Sequence, residues 1–236
     1  MAVLEPRSVR PGAGGPPLAE PRQLPLPLGA EPSHRAADFV GDASNADARA
    51  FLARPDAWPD GRLALHGPAG VGKTHLAHIL AQSGWAWLDG TALRGLPPPP
   101  ATGTIIDDAD LAPEAAALFH AINASREAGC PLLLLGRVPP ARWHAAPPDL
   151  VSRLRATTTA AIAEPSDALL AALLAKHLAD RQLALAPPLQ SLLLLHLPRD
   201  AASIARAVAL LDAAALATGR LGRSTILAVL RDSFVP

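Results

Sequence analysis

The stretch that decides the fold is LALHGPAGVGKT, residues 63–74. Leu63-Ala64-Leu65-His66 reads as a short buried strand, and the apolar spacing of 74–82, THLAHILAQ, reads as a helix leaving the loop. Between them, Gly67-Pro68-Ala69-Gly70-Val71-Gly72-Lys73-Thr74 fits G-x-x-x-x-G-K-[ST] at every defined position. Such a loop turns its backbone N–H groups toward phosphates, while Lys73 neutralises charge and Thr74 holds Mg2+ through its hydroxyl. A chance glycine-rich turn is the bland alternative. Strand, loop and helix in the right order argue against it.

Outward from this loop, short apolar segments recur at 85–88 (WAWL), 104–107 (TIID), 131–136 (PLLLLG) and 157–163 (TTTAAIA), with helical stretches between them. Parallel strands need long crossovers, so this alternation predicts an α/β fold with five parallel strands covered on both faces. From Ser166 onward only helical patterns follow, as DALLAALLAKHLADRQ, PPLQSLLLLHL, RDAASIARAVALLDAAALATG and STILAVLRD. These predict a small all-helical lid. Residues 9–32 are dominated by Pro, Gly and Ala, which build neither helix nor sheet. The expected organisation is a flexible tail over 1–36, a nucleotide-binding α/β domain over 37–163 and a helical lid over 164–236. Within 37–163, Ser44-Asn45 reads as an N-cap ahead of the helix-like run ADARAFLA.

Composition bounds the function. A formal net charge of zero gives no whole-molecule reason for sequence-independent binding to nucleic acid. Cys130 is the only cysteine, which rules out an internal disulfide and fits a reducing compartment. No apolar run approaches the roughly 20 residues that span a bilayer, and the N-terminus lacks the apolar stretch of a secretory signal. The expected location is the cytoplasm, without a membrane role.

Four further signals carry chemistry. Ile105-Ile106-Asp107-Asp108 ends a strand in two acids; the first would hold Mg2+ and the second would polarise an attacking water. A solvated turn is the alternative, but a phosphate loop needs such an acid on a nearby strand. Arg153, in DLVSRL, could reach a phosphate held by another protomer, or simply make a surface salt bridge. Arg199, opening a lid helix, could reach the phosphates of its own chain, or be solvated. In the tail, Gln23-Leu24-Pro25-Leu26-Pro27-Leu28 could be spacer, or an extended peptide that offers alternate side chains to a groove.

In order along the chain, these residues resemble the DnaA-related AAA+ family. FVGDASN (39–45) looks like the family's adenine-side motif, with Phe39, Val40 and Asn45 as nucleotide contacts. GKTHL (72–76) resembles its phosphate loop and following helix, adding His75, and LFHAIN (118–123) resembles the helix after the acidic strand. DLVSRL resembles its arginine-finger box, PRDAASIARAVALLD the lid helix whose arginine senses nucleotide, and GRSTILAVLRD its last lid segment.

The resemblance implies ADP or ATP with Mg2+ as cofactors and roles for Arg153 in trans and Arg199 in cis. It also implies binding of the DNA polymerase sliding clamp through Gln23, Leu24, Leu26 and Leu28, and DnaA itself as a partner. A DNA-binding helix-turn-helix would follow the lid in DnaA, whereas this sequence ends at Pro236, so sequence-specific DNA binding is not expected. A homodimer is left open. One departure stands out: 135–137 is Leu-Gly-Arg where the family usually places a polar residue that senses the γ-phosphate. The expectation is weak hydrolysis of its own and stable ADP binding. An independent ATPase of the helicase-loader kind is the alternative. A small-molecule kinase ranks below both, for want of an acceptor-site signature.

Overall fold

The computed structural model describes residues 35–98, 100, 102–144, 147–218 and 220–234. The tail peptide at 23–28 therefore lies outside the described residues. Five strands form one parallel sheet: β1 (Arg62–His66), β2 (Ala86–Asp89), β3 (Thr104–Asp107), β4 (Leu132–Gly136) and β5 (Thr158–Ala161), in the order β2-β3-β4-β1-β5. The order follows from hydrophobicity. LLLLG of β4 is buried throughout and takes the centre beside β1, whereas TTAA of β5 and AWLD of β2 are partly exposed and form the edges.

Helices α1 (Ala46–Leu52) and α2 (Lys73–Ala81) cover one face, and α3 (Ala115–Glu127) and α4 (Pro148–Ala156) the other. Successive strand residues point to opposite faces, so Leu63, Leu65, Ile105, Leu133 and Leu135 pack with Leu76 and Ala77 of α2. Ala64, Ile106, Leu132 and Leu134 pack with Leu118, Ile122, Leu150 and Leu154 of α3 and α4. The lid comprises α5 (Asp167–Asp180), α6 (Pro187–His196), α7 (Ala201–Thr218) and α8 (Arg223–Ser233). Its own core gathers Leu170, Leu174, Leu178, Leu193, Val208, Leu211 and Ile226.

Several element boundaries differ from the sequence reading. Trp85 precedes β2 rather than opening it; its indole is buried edge-on to Trp58, at 5.7 Å between ring centroids, and against Gly103. Thr157 precedes β5 because its hydroxyl donates to the Arg153 carbonyl (2.9 Å) and finishes α4. The N-cap reading of Ser44-Asn45 is corrected as well. Asn45 occupies the N-cap position of α1 without capping it, because its carboxamide accepts from Asp42 N (3.1 Å) and donates to Val40 O (3.3 Å). Asp42 is the capping side chain, accepting from Ser44 N at 3.1 Å.

Candidate functional site

β1 ends at His66 and α2 begins at Lys73, so the loop 67–72 lies at the C-terminal edge of the sheet, at the N-terminus of a helix. Unpaired N–H groups and the helix dipole there favour an anion. Its glycines are required by geometry. A Cβ on Gly67 would lie 2.2 Å from the Ile162 carbonyl oxygen, and one on Gly70, whose φ is +77°, would lie 2.8 Å from the Asp200 side chain. Lys73 is 8% exposed and donates to Gly67 O (2.8 Å) and Pro68 O (2.7 Å), which folds its ammonium over the loop. Burial pushes its pKa down, while Asp107, Asp108 and Asp110 pull it back up.

Thr74 is brought to Asp107: its hydroxyl donates to Oδ2 at 3.2 Å, and Asp108 N donates to Oδ1 at 3.0 Å. The Asp107 carboxyl is nevertheless raised above its ordinary value, first by burial and then by the neighbouring Asp108 charge. A carboxylate held in this way beside a hydroxyl gains from a divalent cation, so the donor set fits Mg2+. Among the described residues no group of three or more His, Cys, Asp or Glu could hold a metal by itself. Phosphate oxygens would have to complete the shell. Asp108 has left-handed backbone (φ 48°), uncommon for a residue with a Cβ and frequent where a side chain must be aimed at a site.

At the start of α2, Phe39 meets the His75 ring edge-on at 5.3 Å and lies against Gly72, while His75 Nε2 is 3.1 Å from Arg35 O. Val40 is tied to Asn45, which is 2% exposed. Phe39, Val40, Asn45 and His75 thus form one wall beside the start of α2. Lys176 of α5 pairs with Asp38 (2.9 Å), and Ser166, the N-cap of α5, donates to Asp42 (3.2 Å), so the lid closes over this wall.

The two arginines are placed differently. Arg199 donates to Asp167 Oδ1 (2.5 Å) and Pro165 O (3.2 Å), so its guanidinium is engaged within the lid hinge. Its neighbours make the contact with the loop: Ala201 N donates to Gly70 O at 3.2 Å, and Asp200 abuts Gly70. Arg153 lies in the last turn of α4, just ahead of the strand whose Thr158 pairs with Leu63 at the start of β1. That is the end of the sheet away from the phosphate loop. Its guanidinium lies 5.2 Å from the Phe119 ring centroid.

Sequence reasoning missed Asp42, Asp110 and Asp200. Asp200 was accessible as an N-cap, since it stands three residues before Ser203 and accepts from its N (2.7 Å) and Oγ (2.8 Å). Asp110 had no local signal. It becomes visible only when β3 and β4 are placed side by side and its Oδ2 accepts from Arg137 N at 2.8 Å.

No protein-family model matches the sequence, and no curated protein matches it. Solved structures do. Domain III of the Thermotoga maritima replication initiation protein DnaA superposes with a TM-score of 0.72 at 17% identity, over 87% of this chain and 99% of that one. AMPPCP-bound DnaA from Aquifex aeolicus gives 0.60 at 15% identity, over 75% and 64%. The Thermotoga maritima RuvB Holliday junction branch migration motor gives 0.57 at 16% identity, over 85% and 72%. At such identities the likeness speaks of architecture. This chain has the fold of DnaA domain III, which the RuvB motor shares.

Proposed function

We propose that this chain is a nucleotide-binding regulator of replication initiation of the Hda kind. It binds ADP or ATP with Mg2+, attaches to the DNA polymerase sliding clamp, and stimulates hydrolysis of ATP held by DnaA, which prevents re-initiation. The observation that carries the reading is the separation of Arg153 from its own phosphate loop by the length of β1. An arginine there serves a phosphate only when another chain presents it.

Within its own site, Lys73 and the N–H groups at the start of α2 hold the phosphates, and Thr74 with Asp107 hold the cation. Bound Mg2+ would neutralise phosphate charge. Asp108 is the group to orient or deprotonate water. Phe39, Val40, Asn45 and His75 wall the base, and Arg199 senses the nucleotide after exchanging Asp167 for a phosphate. Attachment to the clamp falls to Gln23, Leu24, Leu26 and Leu28. Tethering through a short flexible link raises local concentration to about the mM range, so a weak AAA+ contact suffices. The Lys73, Thr74 and Asp107 arrangement also supports the second reading, an independent ATPase of the helicase-loader type.

The test is hydrolysis of DnaA-bound ATP with clamp loaded on DNA, comparing the intact chain, a chain lacking residues 1–32, and Arg153→Ala. Stimulation should disappear in both variants, while Arg153→Ala keeps nucleotide and clamp binding. Undiminished stimulation by Arg153→Ala removes the finger assignment. Inert intact protein with fast turnover of its own favours the loader-type reading.

A further inference from the structure

The lid carries an apolar groove that the nucleotide site does not use. It runs between the C-terminal half of α5 and the start of α6 and has a volume of about 470 Å3. Its lining includes Ala175, Leu178, Ala179, Leu183, Leu185 and Gln190, and no charged side chain. Small residues create it. Ala175 and Ala179 stand one helical turn apart and, with Ala184 on the connecting segment, leave space that longer side chains would fill. The connecting segment is held in place by its own bonds: Gln182 has left-handed backbone (φ 55°), Leu183 N donates to Leu178 O at 2.9 Å, and Gln190 Nε2 donates to Leu185 O at 2.8 Å. Ala175, Ala179 and Ala184 are exposed, so the groove opens to solvent.

Where the described chain begins decides what can reach this groove. Arg35 is the first described residue, and Asp38 pairs with Lys176 of α5 at 2.9 Å, next to Ala175. Residues 1–34 therefore join the fold beside the helix that walls the groove. From Leu28 to Arg35 the chain can span up to about 24 Å when extended, whereas a path halfway around a helix of about 11 Å diameter is roughly 17 Å. The leucines of Gln23-Leu24-Pro25-Leu26-Pro27-Leu28 can thus arrive from either side of α5. This run carries no charge, and residues before proline are biased to extended backbone, so ordering it costs little entropy. A folded partner fits less well. Stable protein faces bury about 800 Å2 a side, whereas here the Lys176–Asp180 and Arg181–Asp212 ion pairs hem a short apolar strip.

We propose that the groove holds Leu24, Leu26 and Leu28 of the chain's own N-terminal segment. The docking stands on the groove and the length of the chain, and the clamp reading enters only through its consequence. Leucines seated on the lid are not available to the clamp, so the two sites compete and clamp attachment uncovers α5. The apparent affinity for the clamp then scales with the fraction of chains whose segment is free.

Cross-linking within the full chain tests this. In a Cys130→Ser background, Leu26→Cys with Ala184→Cys is treated with a short bismaleimide, and the product is mapped by mass spectrometry. A link within one chain, with a yield unchanged on dilution, is expected. Ala179→Glu, which places a carboxylate in the groove, should cut the yield about tenfold, and so should Leu24→Asp with Leu28→Asp. The second change leaves the lid sequence intact, so its effect is separate from any loss of lid stability, which melting checks for Ala179→Glu. A yield that neither change lowers, the absence of a link, or links that join two chains and vanish on dilution each overturn the proposal; the last gives the groove to a second copy. Added sliding clamp should lower the yield. A link that responds to both changes but not to the clamp upholds the docking and removes the clamp reading.

Discussion

Replacing Lys73 by alanine separates what the loop does for the fold from what it does for a ligand. Lys73→Ala removes two hydrogen bonds to Gly67 O and Pro68 O, but it also removes the cost of burying an ammonium. These effects oppose each other, so the ligand-free protein should change by no more than about 1.5 kcal/mol. Ligand binding is different. At a concentration 100 times Kd, a ligand that binds only the native state adds about 2.7 kcal/mol, which in a domain of this size raises Tm by about 5–10 °C. Thermal unfolding with and without Mg-ATP, monitored by circular dichroism, should show this rise in the wild type and none in Lys73→Ala.

A pH series adds a signed check. The folded-state pKa of Lys73 is depressed, so the unfolded chain binds more protons between that value and 10.5. The wild type should therefore gain stability relative to Lys73→Ala as pH rises through that interval. A full Mg-ATP shift retained by Lys73→Ala would refute the assignment of this loop as the phosphate site.

Other changes follow from the same geometry. Asp107 has a raised folded-state pKa, so its charged form destabilises the native state above that pKa and the cost falls away on acidification. Asp107→Asn should raise the ligand-free Tm near neutral pH while abolishing the Mg2+-dependent part of nucleotide binding, as seen by melting and by titration with and without EDTA. Gly67→Ala forces a Cβ against the Ile162 carbonyl at a φ of +156°, so chemical denaturation should show a loss of at least about 2 kcal/mol. A cost near zero would mean that the loop shifts freely. Leu174→Ala, at a fully buried position in the lid core, should cost about 2–5 kcal/mol in the same measurement.

The residues differ in how much of this was legible beforehand. The strand, glycine-rich loop and helix over 62–81 were readable because such a turn needs glycines at set positions, and five parallel strands followed from apolar segments separated by helical ones. Strand ends were harder. Trp85 and Thr157 have strand-forming side chains, but one is claimed by a tertiary contact with Trp58 and the other by the last turn of α4. The Thr74 and Asp107 pair was legible as two motifs, and their 3.2 Å approach depends on the crossover that sets β4 between β1 and β3. Asp110 and Arg137 belong to different strand ends 27 residues apart. Neither carries a local pattern, so only the sheet order unites them. For Arg199 the sequence offered a cation at a helix start, but not Asp167, the acid from another helix that holds it.

The bond from Ala201 N to Gly70 O, with Asp200 seated on the same glycine, joins the first turn of a lid helix to the loop that would wrap the phosphates. Two bodies joined at that point exchange free energy in both directions. If filling the loop alters how readily the lid moves, then whatever grips the lid must alter nucleotide affinity by the same factor. A partner that touches only α7 would therefore reset the nucleotide content of the protein without approaching the phosphates, and nucleotide exchange would be a sensitive reporter of contacts made on the far side of the lid.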